Sequence, residues 1–138
     1  MDMDVLKEKL GVQIFLNFDF RGFDLVDKVS QFIQNVADML SDVITLLHEY
    51  RKFDRYEDEM KRLEDTLYDA MEHLVKASVS GKASDISNAW LLSHQVLRDL
   101  KKIMASENLV KVDYDLVKLD EWISSFVRSK VGGKYGTH

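Results

Sequence analysis

Histidine is the side chain in this sequence best able to bind a metal or move a proton near neutral pH. Three of the four histidines, His48, His73 and His94, fall on three different predicted helices, and a metal site inside a helical bundle takes its ligands from separate helices in this way. The heptad register argues against such a site. It places His48 on the solvent side and leaves His73 and His94 only beside the apolar seams, so we predict no metal ligands.

Acidic residues approach one of these histidines along the second predicted helix. Asp65, Asp69 and His73 stand four residues apart, so Asp69 could share a proton or an ion with His73 on one helix face. The commoner meaning of this spacing is a solvated face on which a carboxylate supports a histidine. Ser93 and His94 are adjacent, and consecutive helical residues point about 100° apart, so they do not form a nucleophile pair. We therefore expect no catalytic or cofactor-binding residues and predict that the protein is not an enzyme.

Charge is spread unevenly along a chain whose net charge is −5. Residues 54–72 are rich in Asp and Glu, whereas Arg98, Lys101 and Lys102 form a candidate basic patch on the third predicted helix. An acidic protein is a poor general binder of nucleic acid, because affinity for phosphates comes chiefly from Lys and Arg. Binding of nucleic acid through the basic patch remains an alternative function.

Aromatic residues cluster before the first long helix. Phe15, Phe18, Phe20 and Phe23 lie within nine residues, and an apolar stripe that includes Phe32 and Met39 runs beside the main seam of that helix. A contiguous apolar patch of this kind is seldom left exposed on a monomer. We therefore predict a homodimer related by a two-fold axis, with an interface made of Phe15, Phe18, Phe20, Phe23, Phe32 and Met39.

The elements that must position these residues are helices. Apolar residues step by four and three along two segments, the pattern of a heptad seam, and the two seams are Val29, Ile33, Val36, Leu40, Val43, Leu47 and Tyr50, then Tyr56, Met60, Leu63, Leu67, Ala70, Leu74 and Ala77. Shorter helical patterns follow after Gly81 and after residue 115. We predict an all-α antiparallel four-helix bundle with an additional N-terminal segment.

Two boundaries are ambiguous in the sequence. Residues 51–55 fit a hairpin turn with Asp54 as the N-cap of the second helix, but with neither Gly nor Pro there one continuous helix over residues 24–77 is the alternative. Residues 12–20 alternate like a strand, yet Leu6, Leu10, Ile14 and Phe18 also fit a helix. A helix, a strand and irregular chain all stay open for this segment, with the helix favoured. Gly81 is expected to end the second helix and Ser84 to cap the third.

Composition sets the remaining bounds. The chain has 138 residues, no Cys and no Pro, and shows neither a secretion signal nor a long apolar run. We expect one domain over residues 1–130 with a flexible tail over 131–138, located in the cytoplasm and not in a membrane. The predicted function is that of a small non-catalytic bundle acting through protein–protein contacts, as an adaptor, accessory or assembly subunit. A metal-dependent bundle enzyme is the second alternative.

Overall fold

The computed structural model describes residues 20–109 and 114–127, and within these ranges the chain is all helical. It forms α1 (Phe20–Glu49), α2 (Phe53–Ser80), α3 (Ala83–Ser106) and α4 (Tyr114–Val127). The predicted all-α class is confirmed for this part of the chain. Residues 1–19, which include most of the ambiguous 12–20 segment, and the predicted tail at 131–138 lie outside the described residues.

The break between α1 and α2 settles one ambiguity of the sequence. Arg51 adopts a left-handed backbone conformation with φ 57°. The Lys52 N–H then donates to the Leu47 carbonyl at 2.8 Å and the Arg51 N–H to the His48 carbonyl at 3.1 Å, which is the Schellman pattern that closes a helix. A continuous helix over residues 24–77 is therefore wrong, and the predicted break is confirmed.

α2 and α3 also end at a residue with a left-handed backbone conformation. Gly81, at φ 67°, ends α2 with a hydrogen bond from its N–H to the Ala77 carbonyl at 2.8 Å, as the sequence predicted. Asn108, at φ 56°, ends α3, and the Leu109 N–H donates to the Met104 carbonyl at 2.7 Å. Asn is the residue after Gly that adopts this conformation most readily.

The two predicted N-caps, Asp54 and Ser84, are each wrong by two residues. α2 begins at Phe53 with Lys52 in the cap position, and α3 begins at Ala83 with Lys82 in the cap position; neither cap side chain bonds the backbone. Asp54 lies in the first turn of α2 instead. A carboxylate there still interacts favourably with the positive end of the helix dipole.

Both heptad seams lie in the core. Every predicted seam residue from Val29 to Leu47 and from Met60 to Ala77 is buried. The seam ends earlier than predicted in α1, because Tyr50 belongs to the turn and its side chain is 60% exposed. In the second stripe of α1, Phe32 is fully buried, whereas Met39 and Leu46 are only partly covered.

The four described helices pack around this core. α2 and α3 make the most extensive contact, α1 packs on α2, α3 and α4, and α4 also touches α3. Contacts from α2 to α3 join Tyr56 to Glu107, Arg62 to Asp99, and Ser80 to Asp85. From residue 56 to residue 80 along α2, the contacted residue numbers therefore fall from 107 to 85. Among the described residues, no helix combines the length and the apolar character that crossing a bilayer requires.

Candidate functional site

The most connected polar cluster surrounds Glu107, directly after α3. Lys52 Nζ donates to Glu107 Oε2 at 2.7 Å, and the Tyr56 hydroxyl donates to Oε1 at 2.6 Å. Arg55 Nη1 lies 3.6 Å from the same Oε1. The Glu107 side chain is only 6% exposed, so its partners tie the start of α2 to the end of α3.

Hydrogen bonding shifts the pKa values of Glu107 and Tyr56 in opposite directions. The bond from Lys52, followed by the bond from Tyr56, lowers the pKa of Glu107 below its ordinary value. The bond to Glu107 is also the largest cause of a raised pKa for Tyr56. Both shifts keep the carboxylate ionised and the phenol protonated near neutral pH. Near neutral pH the Tyr56 hydroxyl therefore donates its hydrogen bond to an ionised Glu107 carboxylate.

A cavity of about 230 Å³ opens beside Glu107. It is lined by Leu47, Tyr50, Lys52, Glu107, Asn108 and Leu109. Pockets for drug-sized ligands usually measure ~300–1,000 Å³, so this one suits only a small group. Its carboxylate already accepts hydrogen bonds on both oxygens from protein donors, which leaves little capacity for a ligand.

A second cluster connects α3 to α4 through Asp120. Trp90 Nε1 donates to Asp120 Oδ1 at 2.9 Å, and His94 Nδ1 lies 2.9 Å from Oδ2. The rings of Trp90 and His94 are tilted to each other with centroids 5.4 Å apart. A His–Asp pair can orient an imidazole for catalysis. Here the neighbouring Ser93 hydroxyl instead bonds the carbonyls of Ala89 and Trp90 at 2.9 Å each.

The three helical histidines have three different environments. His48 stacks on Phe53 with centroids 4.0 Å apart, His94 faces Asp120, and His73 keeps a buried Nδ1 that has no hydrogen-bond partner. Asp65 and Asp69 are exposed. Within residues 20–109 and 114–127, no three His, Asp or Glu side chains come together in a way that could hold a metal ion.

The predicted interaction residues are distributed unequally between core and surface. Phe32 is fully buried, so a partner could not reach it without separating the helices, and Met39 is partly covered. Phe20 and Phe23 lie in the first turns of α1, with side chains outside the described set, and Phe15 and Phe18 precede the described residues. Arg98, Lys101 and Lys102 are all exposed on α3.

Sequence reasoning missed both partly buried carboxylates as cluster centres. Glu107 bonds residues 51 and 55 positions away, and Asp120 bonds residues 26 and 30 positions away. Local spacing carries no signal for contacts at such distances along the chain. The only hint was residue type, since a Trp and a His need polar partners when they are covered.

No known family model, curated protein or solved structure matches this chain. The function is therefore argued from the geometry.

Proposed function

We propose that this chain is a small non-catalytic antiparallel helical bundle that acts in the cytoplasm through protein–protein contacts, as an adaptor, accessory or assembly subunit, and that it forms a homodimer. The observation that carries the proposal is an apolar row on one side of α1. It consists of Met39, Leu46 and Tyr50, and we call it the α1 edge.

The α1 edge is partly covered along the helix and exposed at the α1–α2 turn. Met39 and Leu46 are partly buried against the core, whereas Tyr50 is 60% exposed. Met39 and Leu46 lie seven positions apart and therefore on one side of α1, and Tyr50 follows in the turn, where its N–H donates to the Leu46 carbonyl at 3.0 Å. Tyr and Met are enriched at protein interfaces, where an apolar body is covered and a polar tip stays hydrated. A protein partner is the natural cover for this row.

The partly buried carboxylates support a structural role for the polar clusters. Glu107 accepts hydrogen bonds on both oxygens from α2 and the turn before it, and Asp120 faces Trp90 and His94 with both of its oxygens. A general base must reach a substrate proton, whereas these two carboxylates face neighbouring helices. This arrangement favours contact and not catalysis as the protein's activity.

Light scattering of the purified chain tests the proposal. We expect a mass of twice 16.0 kDa at concentrations of about 50 μM, an ordinary range for a transient homodimer. At about 0.5 M NaCl, where contacts between exposed charges are screened, Tyr50→Glu should shift the protein towards monomer, because a charge would be buried in the interface. Ser41→Glu, at an exposed position of α1, is the matched control and should leave the mass unchanged. Equal masses for both variants would exclude the α1 edge from the dimer.

The exposed basic patch favours one second candidate function. Arg98, Lys101 and Lys102 stand within about one turn of α3 and are all solvent-accessible, so they could contact phosphates as a nucleic-acid-associated protein would. A gel shift with a short duplex and a short single strand tests this alternative. Binding that weakens steeply with salt and is lost in Arg98→Glu would support it.

A further inference from the structure

The outer side of α3 has a single sign of charge. Exposed residues follow each other there at helical spacing, and we call them the basic face: Asn88, Leu91, Gln95, Arg98, Lys101 and Lys102. The two acidic residues of this helix point elsewhere. Asp85 accepts a hydrogen bond from Ser80 at 2.8 Å, and Asp99 lies 3.5 Å from Arg62.

The outer side of α2 has mostly the opposite sign. Five of its exposed acidic residues follow each other at helical spacing, and we call them the acidic face: Asp54, Asp58, Asp65, Asp69 and Glu72. Arg55, Lys61, Arg62 and Lys76 are also exposed on α2, so the outer side of this helix is acidic in excess and not uniformly. α2 and α3 pack directly on each other. The two faces therefore run side by side over the surface of one helical pair.

The contacts between the two helices set which charges lie at the same height. Tyr56 meets Glu107 and Arg62 meets Asp99. For residues at the same height along the paired helices, the number of the α2 residue and that of its α3 neighbour therefore add to a nearly constant value. On this scale Asp65 is level with Arg98, and Asp58 lies within one turn of Lys102. The strongest positive stretch of the basic face thus stands beside a negative stretch of the acidic face.

We propose that the α2–α3 surface binds the same surface of a second copy of this chain, with the acidic face of each copy on the basic face of the other. A two-fold axis parallel to the helices produces this arrangement. It carries α2 of one copy over α3 of the other at unchanged height, so Asp65 of each copy meets Arg98 of its neighbour. A two-fold axis across the helices would place like charges together.

The chemistry of the faces sets the strength of this contact. Leu91, 49% exposed, supplies an apolar point on the basic face, Asn88 and Gln95 are neutral polar residues, and the remaining contacts are exposed charges. Contacts between exposed charges are individually weak and are screened by salt. The association is therefore weak and salt-sensitive, unlike an apolar contact through the α1 edge. This surface is separate from the α1 edge and does not depend on it.

Charge reversal on each face tests the arrangement. Arg98→Glu with Lys102→Glu reverses two charges of the basic face, and Asp58→Lys with Asp65→Lys reverses the acidic charges that stand at the same height, so the two faces of each variant carry like charges where they would meet. All four residues are exposed, and circular dichroism checks that the helices persist. Each variant alone should associate at least about tenfold more weakly than the native chain at low salt.

Mixing the two variants gives the decisive result. In a mixed pair, the reversed basic face of the first variant meets the reversed acidic face of the second. The unchanged acidic face of the first variant meets the unchanged basic face of the second. Both contacts then join opposite charges, so association should return to near the native level. The native contact should weaken about tenfold between roughly 0.05 and roughly 0.5 M NaCl. Failure of the mixture to restore association would overturn the proposal.

Two further outcomes separate this proposal from the others. Loss of association in Tyr50→Glu with no effect of charge reversal would assign self-association to the α1 edge alone and would overturn the α2–α3 contact. Binding of a duplex by the native chain, abolished by Arg98→Glu and Lys102→Glu without rescue by the second variant, would assign the basic face to nucleic acid. Association that is restored at low salt by mixing the two charge-reversal variants, and that persists in Tyr50→Glu at low salt, would support the contact proposed here.

Discussion

Glu107 shows how a single side chain organises a helix junction in this protein. It sits just beyond α3, yet its partners Lys52 and Tyr56 belong to the turn after α1 and the first turn of α2. A carboxylate that is 6% exposed would be costly without such partners. The residue therefore joins three elements, and its loss should loosen the end of the bundle that carries Tyr50.

The first prediction concerns Glu107 and pH. Because the folded-state pKa of Glu107 is below its ordinary 4.5, its ionised form stabilises the fold above that value, and the stabilisation is lost as the pH falls through the lower folded-state pKa. Glu107→Gln should lower the urea midpoint at about pH 7. The difference from the native chain should shrink below pH 4.5.

The control for Glu107→Gln is Glu64→Gln, which removes an exposed carboxylate of α2 and should leave the midpoint unchanged. A difference between Glu107→Gln and the native chain that persists undiminished into acid would show that the ionised carboxylate is not what stabilises the junction.

The second prediction concerns Arg51. A non-glycine residue at φ 57° carries a steric cost that glycine avoids, so Arg51→Gly should raise the free energy of unfolding by about 1 kcal/mol. Lys101→Gly, at an exposed position inside α3, should lower it by about 1 kcal/mol. Urea unfolding measures both, and a destabilised Arg51→Gly would contradict the geometry of the turn.

At the scale of the helices, the sequence predicts most of the structure, for a physical reason. Burial of an apolar row at steps of four and three is a local property of a helix, so both seams could be identified without a structure. The break at Arg51 was ambiguous because no Gly or Pro marks it. The clusters at Glu107 and Asp120 could not be predicted, because they depend on which helix ends meet in space.

The third prediction tests the two seams. Leu40 and Leu67 were expected in the middle of the seams, and both are buried. Changing either one to Ala should cost about 2–5 kcal/mol, through lost apolar contacts and the cavity left behind. Leu91→Ala, at a 49% exposed position, should cost less than about 0.5 kcal/mol. Equal losses at core and surface would mean that the helix faces are misassigned.

The fourth prediction concerns the attachment of α4. Asp120→Ala removes the acceptor of the Trp90 indole N–H and the neighbour of His94, and should cost about 1–2 kcal/mol. Because these contacts join α4 to α3, amide exchange should speed up in α4 more than in α2. Glu121→Ala, an exposed neighbour, is the control. Unchanged exchange in α4 would show that apolar packing alone holds the helix.

At the scale of the whole molecule, the apolar core and the residues proposed for partner contact are distinct. The seams lie in the core, Glu107 and Asp120 bond residues of neighbouring elements, and the surface has a partly covered apolar row at the α1 edge and opposite charges on α2 and α3. Their arrangement is what leads us to propose that the protein works by contact with other chains.

Sedimentation velocity of the unmodified chain, diluted from about 100 to about 1 μM, tests this central claim most directly. We predict a species of at least twice 16.0 kDa at the highest concentration that dissociates to the single chain on dilution, and a larger associated fraction at low salt than at high salt. A single species of 16.0 kDa at every concentration and at low salt would contradict self-association through either surface.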